Sequence, residues 1–142
     1  MKKTLFIKRA ALLASLAGLI AFAAAPLQAA DRVTQGLWEN TVTSAGKTRT
    51  FTICMTPDMA ENANADEKTV RALAEKAGAG VCVIGTYQDS GNKVSFTMTC
   101  GKSVTTSITT YRGDSYESVM TRIYEGKTTT TLIKSRRVGT CP

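Results

Sequence analysis

Histidine is absent from this sequence of 142 residues, and aromatic residues make up only 6% of it. Without histidine, neither a Ser-His-Asp triad nor a histidine-ligated metal site can form, and general-base catalysis loses its most common residue. No glycine-rich phosphate loop occurs either, since the glycines fall at expected turns. These absences exclude several large enzyme classes and predict a protein without catalytic residues, metal or cofactor.

Only one long apolar run occurs, and it lies at the N-terminus. Four basic residues within the first nine precede an apolar stretch over residues 10–25, and Pro26 ends it. This is the layout of a secretory signal peptide, with cleavage expected after Ala29 or Ala30. The run is shorter than the roughly 20 residues that a membrane span needs. We therefore predict a cleaved signal over residues 1–29 and no transmembrane anchor after cleavage.

The net charge of +7 comes largely from this N-terminal segment. The chain has 18 Lys and Arg against 11 Asp and Glu, and four of the basic residues lie in the predicted signal. The remainder carries 14 against 11, a net charge of +3. Because so small an excess gives no basis for a nucleic-acid partner, we expect none. A periplasmic location is expected, with secretion beyond the cell as the alternative.

Residues 30–142 have the length of one small domain, which buries a modest core and often depends on covalent staples. Its four cysteines are Cys54, Cys82, Cys100 and Cys141. An even number of cysteines in an exported chain predicts disulfides. A metal site is the alternative, but no C-x-x-C spacing and no histidine support one.

Period-two alternation of β-branched and polar residues predicts strands over most of this domain. Turn residues separate the strands, among them the stretch 89–92 and the pairs around Gly46, Gly113 and Gly126. The pattern predicts a mainly β fold, a single antiparallel meander of about seven strands that forms a curled sheet or a small barrel. The predicted strands cover residues 36–44, 47–55, 81–88, 93–100, 103–112, 115–124 and 128–138.

One helix is expected between the second and third strands. Over residues 66–77, apolar side chains recur at helical spacing, and Gly78 can end the helix. Thr56 and Pro57 also form a helix-start signature, although an Asn-rich polar stretch follows them. We expect the helix to cover one face or one end of the sheet.

The disulfide pairing follows from the hairpin of the third and fourth strands. A turn centred on Gly91 places Cys82 opposite Cys100, close enough to bridge. By elimination, Cys54 pairs with Cys141, and this bridge ties the C-terminus to the second strand. A shift of one residue in the turn would put Cys82 and Cys100 on opposite faces and undo the argument.

With these residues in view, the chain resembles the exported bacterial family grouped as domain of unknown function 3617. The resemblance covers nearly the whole domain and depends on the order of several short pieces. The family pattern has a glycine before its arginine pair, where this chain has Ser135. The resemblance implies the compartment and the architecture and no activity. The matching positions are the stretch 36–39, Cys54, Cys82, Cys100 and the stretches 113–116 and 136–141.

The candidate site residues are aromatic or basic. Trp38, the only tryptophan, is interpreted as a core anchor, with a ligand-stacking residue as the alternative. Tyr111 and Tyr116 form either ordinary cross-strand pairs or an aromatic rim for a ligand. Arg136 and Arg137 could contact an anionic partner, or could protect a solvated edge strand from aggregation.

Three functions remain open at this point. The first is a non-enzymatic binding or interaction protein of the cell envelope, which contacts an envelope protein through a sheet face or edge. The second is a carrier that holds a small apolar ligand in a β cup lined by Phe96, Met98 and Met120, although these residues could simply form the core. The third, and least favoured, is a hydrolase that uses paired carboxylates.

Overall fold

A computed structural model describes residues 31–142. The predicted signal peptide lies outside the described residues, so it stays a prediction. Seven strands and two helices make up the described part of the chain. Their bounds are β1 Gly36–Ser44, β2 Lys47–Met55, α1 Pro57–Ala63, α2 Glu67–Ala77, β3 Cys82–Asp89, β4 Lys93–Cys100, β5 Ser103–Tyr111, β6 Ser115–Tyr124 and β7 Lys127–Gly139.

All seven strands belong to one antiparallel sheet in the order β2-β1-β7-β6-β5-β4-β3. The sheet is open, with β2 and β3 at its edges. Of the two predicted forms, a curled sheet or a small barrel, the closed barrel is therefore excluded. Strands β3 to β7 form the predicted meander. The first hairpin, however, joins the sheet through β1 and β7 and not next to β3. The helical insert makes this possible because it carries the chain from one edge of the sheet to the other.

The insert contains two helices, one more than the pattern predicted. Helix α1 begins at the Thr56-Pro57 signature: the Thr56 hydroxyl accepts a hydrogen bond from the backbone N–H of Met59 at 3.3 Å, and Pro57 occupies the first turn. In α2, the Asp66 carboxylate accepts from the backbone N–H of Thr69 at 2.8 Å. Hydrogen bonding by the Thr69 side chain, and second by this N–H, lowers the pKa of Asp66. With only seven residues, α1 is too short for a repeating apolar pattern, so its cap was its only clear signal.

Helix α2 lies beside the edge strand β3. None of its residues is buried, and Leu73 of its predicted apolar stripe is 37% exposed. A polar contact holds it: the Arg71 guanidinium donates to the carbonyl oxygens of Ile84 and Gly85, the latter at 2.9 Å. The Glu67 carboxylate, 2.6 Å from Arg71 Nη2, orients that guanidinium one helical turn away. The helix therefore covers an edge of the sheet.

These carbonyls mark a β-bulge that decides the register of the β3–β4 hairpin. Near the turn, Asp89 pairs with Val94, but beyond residues 85–86 the register has moved by one and Ile84 pairs with Met98. Without the shift, Cys82 would lie opposite residue 101 with its side chain on the wrong face. The predicted pairing of Cys82 with Cys100 is confirmed, but the turn alone does not produce it. The Cys54–Cys141 bridge is confirmed as well.

The hydrophobic core is small and lies at one end of one face of the sheet. We call this the inner face; it carries Trp38 on β1 and every second residue of the neighbouring strands. Trp38 is 0% exposed and packs with Val33, Met55 and Ala60, so the N-terminal segment and α1 cover this end of the sheet. The opposite side of the sheet is called the outer face.

Candidate functional site

The aromatic candidates form one cluster of tilted rings, in which Tyr111 and Tyr116 pack against the core residue Trp38. The Trp38 and Tyr116 rings lie 5.7 Å apart between centroids, and Tyr116 lies 5.9 Å from its cross-strand partner Tyr111. The Trp38 indole N–H donates to the carbonyl of Thr34 at 2.9 Å, and the Tyr116 hydroxyl donates to Asn40 Oδ1 at 3.3 Å. With its ring buried and its N–H bonded, Trp38 has no surface left for stacking on a ligand.

The N-terminal segment contacts these aromatic rings through a buried arginine, Arg32. Arg32 is 7% exposed. Its guanidinium lies 3.0 Å from the Asp89 carboxylate and 5.7 Å from the centroid of the Tyr111 ring. Burial raises the pKa of Tyr111, and the nearby Arg32 charge opposes that rise only in part. Asn64 fixes the next residue, since its side chain bonds both the N–H and the carbonyl of Val33, at 3.0 and 2.7 Å.

The two candidate arginines do not form one cluster, because neighbours on a strand point to opposite faces. Arg136 lies on the outer face, with both Nε and Nη2 within 3.1 Å of Glu39 Oε1. Arg137 lies on the inner side, where its Nε donates to the carbonyl of Gln35 at 2.9 Å. Strand β7 lies between β1 and β6, so the interpretation of this segment as a protected edge strand is wrong.

Arg137 forms part of the wall of a small cavity at the end of the sheet, which we call the bridge pocket. Its volume is about 260 Å³. The Cys54–Cys141 disulfide, Met55 and Pro57 provide apolar walls. Gly36 lies directly against the guanidinium end of the Arg137 side chain. The pocket thus combines one cation with an apolar surround, and it gathers residues from β1, β2, β7 and the start of α1. The remaining lining residues are Gln35, Thr56 and Thr140.

The outer face carries an apolar surface that no described residue covers. Leu132, Val119 and Ile108 are direct partners across β7, β6 and β5 and are 44%, 41% and 39% exposed. A second row runs through Ile123 and Val104, paired across β6 and β5. Between the rows lie only threonines, at positions 97, 106, 121 and 130. We call the apolar set the outer patch: Leu132, Val119, Ile108, Ile123, Val104 and, on β3, Val83.

A group of paired charges borders the outer patch on one side, at the end of the sheet nearest the core. Glu117 Oε1 and Oε2 lie 3.9 Å from Lys134 Nζ and 3.5 Å from Arg112 Nη1, and Glu39 pairs with Arg136. These pairs are exposed, so they contribute little to stability. Their place at the margin of an apolar surface is the usual composition of an interface rim.

Phe96, Met98 and Met120, the residues proposed for a ligand cup, share the inner face. Phe96 and Met120 lie on either side of Ser107 in one row across β4, β5 and β6. All three side chains are half-buried. A larger cavity of about 710 Å³ is lined instead by the N-terminal segment and the two helices. The carrier hypothesis in its cup form stays a prediction.

Within residues 31–142, all four cysteines are bridged, and no group of three or more acidic or sulfur ligands is placed to hold a metal ion. No helix in this part of the chain is long and apolar enough to cross a bilayer. Two disulfides are typical of proteins that fold in an oxidising compartment outside the cytoplasm.

Sequence reasoning missed two features of these surfaces. Arg32 sits next to the expected cleavage site, and nothing local marks it as buried. The outer patch did leave a trace, because Ser103-Val104, Ser107-Ile108 and Ser118-Val119 each place a serine beside an aliphatic residue. Alternation shows that these residues face opposite sides but not which side is covered.

The fold defines the structural class of this protein. It is an open antiparallel sheet of seven strands with a helical insert and two disulfides. The family described as "Protein of unknown function (DUF3617)" has a model that matches residues 33–141, and the chain belongs to this family. The resemblance seen in the sequence is therefore confirmed. Comparison with curated proteins and with solved structures found no match.

Proposed function

We propose that this protein is a non-enzymatic binding protein of the cell envelope, exported to the periplasm, and that it contacts an envelope protein through the outer patch. The observation that carries the proposal is the exposure of two rows of aliphatic side chains, separated only by threonines, on a face whose centre has no charge. The occupant we expect is a partner that presents an apolar β-sheet face.

The size of the outer patch supports an interaction surface. With a strand spacing of about 4.8 Å and a rise of about 3.3 Å per residue, five strands and two rows span about 19 by 13 Å, or roughly 250 Å² before side-chain margins are added. Apolar patches of roughly 300–600 Å² are the largest on typical monomers and are often functional. The rectangle of roughly 250 Å², which includes the threonine row, thus lies just below the lower end of this range before side-chain margins are added.

The same size argues against a second copy of the chain as the occupant. A stable interface buries about 800 Å² on each partner, well beyond the apolar rows. A transient contact with a different protein needs less area, and the paired charges around Glu117 and Glu39 can provide its polar rim. A lipid surface fits less well, since the outer patch contains no aromatic side chain and membrane interfaces favour Trp and Tyr.

The shape of the patch favours a sheet as the partner element. Ile108, Val119 and Leu132 lie in one straight row across three strands, with a row of threonines between them and the second aliphatic row. Sheets pack face to face through such alternating rows at about 10 Å separation. A partner strand or sheet can place its own aliphatic residues between the two rows.

Site-specific photocrosslinking in cells that export the protein tests this proposal. A photoreactive residue at Val119 should yield one discrete crosslinked envelope protein. The same residue at Phe51, which is equally exposed on the inner side of edge strand β2, is the control and should yield none. Val119→Lys should remove a crosslink formed from Ile108. Equal crosslinking from both positions, adducts with lipid alone, or a crosslink only to a second copy would overturn the proposal.

A further inference from the structure

We propose that the bridge pocket binds a small amphiphilic anion: a carboxylate that pairs with Arg137, on a short apolar chain that packs against the Cys54–Cys141 disulfide, Met55 and Pro57. This site is separate from the outer patch and does not depend on the proposed protein partner.

Arg137 is one of three described arginines, with Arg49 and Arg122, that have no carboxylate within 4.0 Å, and of these three it is the one that lines the bridge pocket. Among the described residues, Arg32, Arg71, Arg112 and Arg136 each lie within 4.0 Å of a carboxylate. No carboxylate of residues 31–142 lies that close to Arg137, whose side chain donates through Nε to Gln35. An arginine has five N–H donors, so most of those on Arg137 remain for a ligand.

The backbone holds Arg137 in this position. A β-bulge shifts the β1–β7 register, so that Leu37 pairs with Gly139 while Trp38 pairs with Arg137. The Arg137 N–H donates to the Asp114 carbonyl at 2.8 Å. Gly36 has a φ of +144°, and a Cβ there would lie 2.5 Å from Arg137 Nε. Only glycine lets the guanidinium lie this close to β1, so the cation is positioned before any ligand arrives.

The surroundings of Arg137 select the ligand's chemical class. A half-buried guanidinium beside apolar walls binds a carboxylate more strongly than in water, because the local dielectric constant is lower. The volume of about 260 Å³ is below the roughly 300–1,000 Å³ of pockets for drug-sized molecules, so a short chain fits better than a long-chain lipid. An acyl carboxylate such as octanoate has both required parts.

Titration of the disulfide-bonded protein with octanoate, followed by two-dimensional NMR, tests the site. Saturable shifts should centre on the amides of Gly36, Met55 and Cys141. Octanamide has nearly the same shape without the charge and should bind at least about tenfold more weakly, since a charge-assisted hydrogen bond contributes about 1.5–3 kcal/mol. Equal binding of octanamide, shifts centred elsewhere, or no saturation at millimolar octanoate would contradict the proposal.

Matched variants separate charge from structure. Arg137→Gln should weaken octanoate binding by about tenfold or more, and Arg137→Lys by less, because lysine keeps the charge but not the fork geometry. Arg136→Gln removes the neighbouring charge on the opposite face and should leave binding unchanged. An equal loss in Arg136→Gln would mean that net charge alone drives binding. If Arg137→Gln fails to fold, the comparison of octanoate with octanamide on the unaltered protein still decides.

Discussion

On the inner face of the sheet Ser107 is 5% exposed, whereas Ile108, the next residue of the same strand, is 39% exposed on the outer face. The same contrast holds for Ser118 and Val119, at 6% and 41%. At these central positions the inner face is buried and polar, and the outer face is more exposed and aliphatic. Hydrophobic burial alone would favour the reverse, and this contrast is the reason for proposing the outer face as an interaction surface.

Hydrogen bonds make the polar inner face tolerable. The Ser118 hydroxyl accepts from Thr109 Oγ1 at 2.9 Å, and the Ser103 hydroxyl accepts from Arg122 Nε at 2.8 Å. Within the described chain, only the Ser135 hydroxyl is fully buried without a partner. Ser135 stands where the family pattern has glycine, and it lies in a regular strand pair with Asn40 and Tyr116. The backbone at position 135 therefore needs no glycine. The serine there leaves one buried hydroxyl without a hydrogen bond, which is destabilising.

The largest expected effect contrasts a core residue with a patch residue. Trp38→Ala should destabilise the domain by about 5 kcal/mol, because it removes a fully buried ring. Ile108→Ala, on the outer patch, should cost only about 1 kcal/mol, because the side chain is 39% exposed. Urea denaturation followed by circular dichroism measures both. Similar losses in the two variants would show that the outer patch belongs to a folding core.

The second-largest expected effect is the loss of stability on removing each disulfide, which should differ between the two. Chain entropy assigns about 4.6 kcal/mol to a loop the size of Cys54–Cys141 and about 3.2 kcal/mol to one the size of Cys82–Cys100, since the sequence separations are 87 and 18. Replacing each pair by serine should therefore cost more for the first. Calorimetric melting of the two double variants tests this order, and a greater loss from the hairpin bridge would reverse it.

The buried ion pair that holds the N-terminal segment over the inner face comes third. Asp89→Asn leaves Arg32 without its counter-charge and should cost about 2 kcal/mol, less than for a fully buried pair because the Asp89 side chain is 30% exposed. Glu125→Gln breaks the exposed Lys102 pair and serves as the control, with a cost below about 0.5 kcal/mol. If the denaturant midpoint falls equally in both variants, the Arg32–Asp89 pair stabilises the fold no more than the exposed Lys102–Glu125 pair does.

Arg71 should have a smaller and more local effect. Arg71→Ala removes the donors to the Ile84 and Gly85 carbonyls and should cost about 1 kcal/mol. Because these bonds hold the bulge that sets the β3 register, amide hydrogen exchange should rise along β3 and not along β7. Lys76→Ala, on the same helix, is the control. Uniform exchange across the sheet would show that Arg71 does not act on the bulge.

The smallest effect is a pH dependence from two half-buried tyrosines of the inner face. Burial raises the pKa of Tyr111 and of Tyr87 above the ordinary value of 10.0. The folded state then favours the protonated phenol, so this contribution is fully present below about pH 10 and is lost as pH rises through the raised pKa. Tyr111→Phe should lose less stability than the unaltered protein between about pH 9 and about pH 11. Parallel curves for the two proteins would contradict this.

Local features of the sequence predicted the β1–β2 hairpin, the helix over α2, the turns and the presence of two disulfides, whereas the alignment of Cys82 with Cys100 needed the bulge in β3. Each depends on residues close together in the chain or on a simple count of cysteines. The candidate site was less predictable. Alternation alone separates Arg136 from Arg137, yet the partner of each depends on β1, about a hundred positions away.

The sequence by itself determined which segments are strands, because side-chain alternation and turn residues act within a few positions. Only the tertiary structure decided that β1 pairs with β7, that a bulge at residues 85–86 aligns Cys82 with Cys100, and that the serine face is the covered one. These outcomes depend on long-range register, and a shift of one residue reverses the face of a whole strand without changing its pattern.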